Sequence, residues 1–199
     1  DKVSSQPMRV RVIPASKPSA TDKKDVFIET TVENDSVYLQ GTIQLITKLY
    51  LAVDIQRGSL TEPKMDNANI QQLGKDEELS DIKNGTRYRV IKRVYLITPQ
   101  RSGDYVIKSP VFSGELVMSK RRSFFSGFNN TKPVSLMGED IAITVKPIPQ
   151  DYEGQWLPSD LVAIHEEWQP NDQTFTVGDP ITRTITLTAI GVSEEQLPE

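Results

Sequence analysis

One histidine, His165, and no cysteine are the entire stock of imidazole and thiol in this sequence of 199 residues. A Ser-His-Asp relay would need that histidine beside an activated serine, and no nucleophile-elbow pattern occurs in the chain. Zinc takes three or four His, Cys or carboxylate ligands, so here it would have to rely on carboxylates and one imidazole. Calcium has two candidate stretches, Asp66-Asn67 with Asn69 and Asp76-Glu77-Glu78 with Asp81. Neither has an EF-hand spacing, and both read as solvated loops. With no Gly-rich phosphate loop either, the expectation is a chain with no catalytic residue, no metal and no cofactor.

Two groups of residues still invite a role in recognition. Trp156 and Trp168, with Tyr152, would make a sugar platform if their faces converged on solvent. Flanking a break in the strand pattern, the two tryptophans read instead as packing between domains. The second group is the run from Ser119 to Asn130, in which Lys120, Arg121 and Arg122 precede Phe124, Phe125 and Phe128. Exposed, such a loop suits an anionic membrane surface or a partner's groove. Folded back, its phenylalanines anchor the loop to its own domain.

A formal net charge of -4 and a pI near 5.2 supply no basic field for nucleic acid, which is excluded as a partner. No apolar run approaches the ~18 residues of a membrane span.

The elements that would position these residues are strands. Val26, Ile28, Thr30 and Val32 alternate, as do Ile43 through Val53, Tyr88 through Leu96, and Ile141 through Val145. Tyr105 follows Gly103 as in the tyrosine corner of immunoglobulin-like sandwiches. The polar run 54–86 suggests only a short strand near Asn69–Leu73, and Pro110 demands an edge position or a bulge. Pro147, Pro149 and Pro158 bound a joint through which neither helix nor ladder can run.

Patterns repeat across that joint. Met8, Val10 and Val12 before Pro14 match Ile141, Ile143 and Val145 before Pro147; shifted by 138 positions, Ile43 to Leu49 matches Ile181 to Leu187. The sequence therefore predicts an all-β chain of tandem immunoglobulin-like antiparallel sandwiches. Residues 1–24 would be the last strand of a preceding module plus a linker, 25–147 a complete module, and 148–199 the opening strands of another. Open strand edges in such a fragment invite self-association.

Several stretches resemble the BatD-type oxygen-tolerance (aerotolerance) proteins of bacteria. They are Tyr88-Arg89-Val90-Ile91, Val111-Phe112-Ser113-Gly114-Glu115-Leu116, Thr144-Val145-Lys146-Pro147-Ile148-Pro149, Gly154-x-Trp156-Leu157-Pro158, Glu166-Glu167-Trp168 and Val177-Gly178-Asp179-Pro180-Ile181-Thr182-Arg183. The resemblance implies immunoglobulin-like domains in the periplasm, tethered to the inner membrane by a helix outside this stretch. It also implies partners of the MoxR ATPase and von Willebrand factor A types in an envelope complex, and a non-catalytic scaffold role in oxygen or stress tolerance. A carbohydrate- or peptidoglycan-binding sandwich is the alternative reading.

Overall fold

The computed structural model describes residues 25–117, 131–170, 174–175, 177–178, 180–192 and 196–197. They form an all-β chain, and none of them lies in an α-helix. A four-stranded antiparallel sheet has the order β1 (Val26–Val32), β3 (Ile43–Leu51), β6 (Thr86–Pro99), β5 (Ala68–Lys83). Facing it are two smaller sheets. One is β2 (Ser36–Tyr38), β10 (Ile141–Lys146), β7 (Gly103–Ile107), with β2 parallel to β10; the other is β4 (Ile55–Leu60), β8 (Val111–Val117), β9 (Thr131–Met137). Only Ser109-Pro110 and its neighbours separate β7 from β8, and Gly138 and its neighbours separate β9 from β10. A bridge between Lys64 and Lys108 joins the segment that follows β4 to the break between β7 and β8.

Alternation puts one face of the four-stranded sheet into the core. Ile43, Leu45, Tyr95 and Ile97 pack with Ile107, Ile143 and Val145, while Val26, Ile28, Leu49 and Leu51 pack with Phe112 and Leu116. Between these clusters runs a polar row, Thr30–Thr47–Arg93, set by cross-strand register. It lies level with the break in the facing layer: Thr30 Oγ1 donates to the Glu139 carbonyl at 2.9 Å, and a Cβ added to Gly138 would meet Ser109 Oγ and Thr30 Oγ1. Arg93, on β6, closes the row. Its Nε and Nη2 grip Asp76 at 2.7 and 2.6 Å, and its Nη1 donates to the Leu60 carbonyl.

The run 54–86 departs from expectation. It holds β4 and the 16-residue β5 rather than one short strand. An Asn-Gly turn explains the length: Asn84 and Gly85 both have positive φ, the geometry that continues a hairpin without splaying it. The charges that made β5 look like a loop are matched by cations of β6: Glu77 meets Lys92 across the ladder at 3.0 Å, and Asp76, within the bulge between Leu73 and Glu77, meets Arg93. Pro110 lies in the break between β7 and β8 and so interrupts no ladder. Tyr105 Oη comes 3.5 Å from the Ser102 carbonyl, at the limit of hydrogen-bond reach.

β11 (Leu161–Gln169) and β12 (Thr182–Ile190) form a separate antiparallel hairpin that pairs with no other strand among the described residues.

Candidate functional site

The proline-bounded joint is held to the preceding sheets through one indole. β2 and β10 run side by side to Tyr38 and Lys146, and the Leu39 amide donates to the Lys146 carbonyl at 2.8 Å. That leaves the Leu39 carbonyl to be reached from outside the sheet, and Trp156 Nε1 donates to it at 2.8 Å. The indole stands edge-on to Tyr38 (ring centroids 5.8 Å apart) and to Tyr152 (4.8 Å). Tyr152 in turn donates its hydroxyl to the Gln155 carbonyl at 2.6 Å. Such edge contacts add to the area buried, and an indole N–H bond contributes about 1 kcal/mol.

Trp168 belongs to different surroundings. On β11, 40% exposed, it lies 6.0 Å from Phe175, and the Arg183 guanidinium sits 5.3 Å from its ring. Arg183 also donates to Glu166 at 2.9 Å, and that pairing holds the Glu166 carboxyl below the usual range. Trp156, Trp168 and Tyr152 therefore do not converge on one platform. Trp156 has spent its N–H and both ring edges on the joint, whereas the contacts of Trp168 are with the hairpin's own residues.

Lys120, Arg121, Arg122, Phe124, Phe125 and Phe128 lie outside the described residues. Their flanks are placed: Val117 and Thr131 are cross-strand partners that end β8 and begin β9.

The hairpin β11–β12 has two unlike faces. Register puts Val162, Ile164, Glu166 and Trp168 beside Ala189, Leu187, Ile185 and Arg183, making one largely apolar face. On the other, Ala163, His165, Glu167 and Gln169 lie beside Thr188, Thr186, Thr184 and Thr182. His165 is exposed on this polar face, its Nε2 3.2 Å from Glu167. On the apolar face Ile164 is 71% exposed.

The register also repeats that of β1–β3. Ile28 is opposite Leu49, and Ile164 is opposite Leu187; Ile164 follows Ile28 by 136 positions, and Leu187 follows Leu49 by 138. Phe175 and Val177 fall in the interval where the earlier copy has Val37 and Leu39.

Among the described residues, no group of three or more His, Asp or Glu side chains converges to hold a metal ion. The acidic run of β5 is committed to Arg93, Lys92 and Arg89. Hydrogen bonding to Arg93 lowers the Asp76 pKa, and the same bond raises that of Arg93. Sequence reasoning missed this clamp because its partners are brought together only by the bulge in β5. It also missed Phe112, whose ring lies where side chains on the paired Gly58 and Gly114 would stand. A Gly-Gly pair opposite an aromatic is the one signal that pointed to it. No helix among the described residues is long and apolar enough to cross a membrane. In comparisons with known proteins, no protein-family model, no curated protein and no solved structure matches this chain.

Proposed function

We propose that this chain is a non-catalytic, extracytoplasmic scaffold built of tandem immunoglobulin-like sandwiches, with 25–147 as one module and 148–199 as the opening of the next. The observation that carries the reading is the repeated register of β1–β3 in β11–β12. A two-stranded hairpin with a bare apolar face is marginal alone in water, and in the first copy the equivalent face is covered by the opposing sheets. We assign that cover in the second copy to further strands of the same module. The immunoglobulin-like label draws support from the strand order, in which a four-stranded antiparallel sheet opposes a layer whose short first strand runs parallel to the last.

The role of the scaffold rests on the resemblance to the BatD-type proteins. On that basis the protein works in the periplasm, tethered to the inner membrane, and joins partners of the von Willebrand factor A and MoxR ATPase types in oxygen or stress tolerance. Exposed strand edges are the surfaces offered to them. Affinity capture of the full-length protein from its native membrane tests the reading. Reproducible recovery of either partner type supports it, and recovery of neither across replicate captures overturns the assignment to that complex.

A further inference from the structure

An unprotected strand edge is a template for another strand, and sheets blunt their edges with bulges, prolines, charges or very short strands. The three sheets of residues 25–146 have two edges each, and at every edge but one such a device is present. β5 has its bulge and acidic run, β4 a register shift between Ile55 and Arg57, and β9 carries Pro133. β2 and β7 are only three and five residues long. β1 is the exception. It pairs with β3 through seven residues without a shift, contains no proline or glycine, and sets β-branched and aromatic residues around a single charge, Glu29.

The ladder decides which peptide groups of β1 face outward. The Ala52 amide donates to the Asp25 carbonyl at 2.7 Å, which makes these two residues a hydrogen-bonded pair. Bonded and non-bonded pairs alternate along an antiparallel ladder, so Phe27, Glu29 and Thr31 turn their N–H and C=O groups toward β3. Val26, Ile28, Thr30 and Val32 turn theirs away, toward no strand among the described residues.

Those four outward positions are symmetric about Glu29. A second copy laid antiparallel on that centre sets Val26 opposite Val32 and Ile28 opposite Thr30, so each outward residue meets another. Centring on Ile28 or on Thr30 leaves one residue of each copy unmatched. The obstacle is Glu29 facing its own twin, because like charges directly opposite are unfavourable. Its carboxylate is already bonded to Lys83, whose Nζ lies 4.3 Å from the centre of the Tyr50 ring. Each copy therefore brings its own counter-charge to the two-fold axis.

We propose that β1 is a self-association edge, at which two copies of this chain pair β1 with β1 about Glu29 and join their four-stranded sheets into one. The inference goes beyond the scaffold reading and does not rest on it. The pairing buries little besides main chain, so the dimer is weak, with a Kd on the order of tens of micromolar.

The chain has no cysteine, so a single introduced thiol reports the contact cleanly. Sedimentation equilibrium of the 199-residue chain is expected to show monomer–dimer exchange between about 1 and 500 µM. In oxidised glutathione, Glu29→Cys should form a disulfide-linked dimer about tenfold faster than Thr31→Cys. Position 29 faces its twin within disulfide reach, whereas position 31 faces position 27 of the other copy. The Glu29 side chain is 41% exposed and Thr31 is exposed, so both variants should keep a thermal midpoint near the parent's. Ile164→Cys, on the bare face of β11–β12, reports association through the hairpin instead. Equal rates at positions 29 and 31, or fastest cross-linking at 164, overturn the proposal. So does a chain that stays monomeric throughout that range, and slow hydrogen exchange of its Ile28 and Thr30 amides would then show the edge filled from within one copy.

Discussion

β1–β3 and β11–β12 share one ladder and differ in almost everything that follows from it. Ile28 and Leu49 are 6% and 3% exposed, whereas Ile164, at the place equivalent to Ile28, is 71% exposed. Both hairpins have a period-two apolar pattern and the same pairing. The difference lies in what the chain does next: after β3 it returns through β6 and then lays β7, β8 and β10 over the inner face. Amphipathic alternation specifies a face that demands cover, and non-local strands supply the cover.

The largest test of this contrast is a pair of truncations. Leu45 is fully buried, so Leu45→Ala should cost about 2–5 kcal/mol in urea unfolding through lost burial and the cavity left behind. Ile164→Ala should change stability by less than about 0.5 kcal/mol, because the side chain is already in water. A cost above about 2 kcal/mol for Ile164→Ala would mean that its face is covered in solution, and the contrast would fail.

A smaller effect sharpens the covered side. A Cβ on Gly114 would sit 2.7 Å from Phe112 Cζ and 2.8 Å from the Arg57 carbonyl. One of those neighbours is backbone and the other a ring in the core, so neither yields cheaply. Gly114→Ala should destabilise by about 1–3 kcal/mol, read as a lower urea midpoint at unchanged m-value. An unchanged midpoint would show that the Phe112 ring has room to move.

A carboxylate–guanidinium pair on the covered side, Asp76–Arg93, and one on the hairpin, Glu166–Arg183, are separated by acid. Asp76 has a depressed pKa in the fold, chiefly from its hydrogen bonds to Arg93, so its contribution is present above its unfolded pKa and is lost as pH falls through the folded one. With the Asp76 side chain 36% exposed, solvent screening holds that contribution to about 1 kcal/mol or less. Between pH 5 and the acid limb, the urea midpoint of the parent should therefore fall more steeply than that of Asp76→Asn. The Glu166 carboxyl is lowered in the same sense by Arg183, but it is exposed on the uncovered hairpin. Glu166→Gln should leave the acid limb where it was. Parallel limbs for Asp76→Asn and the parent would remove the clamp from the account of the sheet edge.

What the sequence disclosed divides along the same line. Strands with uninterrupted alternation, Val26–Val32, Ile43–Leu51 and Ile141–Lys146, were legible because their pattern is local. β5 was not, since its charges are neutralised by Lys92 and Arg93 on the adjacent strand and its Asn84-Gly85 turn sits within a polar run. The repeat across the joint was legible as a shift of 138 positions, yet only the ladder shows that the first strand of the pair shifts by 136, with two residues absorbed between the strands.

The smallest predicted effect concerns the connection between the two regions. If the Trp156 bond to the Leu39 carbonyl fixes their relation, the joint is an elbow and not a tether. Three prolines already restrict the backbone of Pro147–Pro158, so only a few φ/ψ pairs remain to be fixed, and one indole wedged between Tyr38 and Tyr152 suffices to fix them. Trp156→Ala removes the donor and both edge contacts at little cost to the core clusters, which contain none of these residues. The expected result is a broader distance distribution in small-angle scattering with an unfolding midpoint close to the parent's. Trp168→Ala, whose contacts are with Phe175 and Arg183, should leave the scattering unchanged. A profile unaltered by Trp156→Ala would assign the elbow's stiffness to the prolines alone.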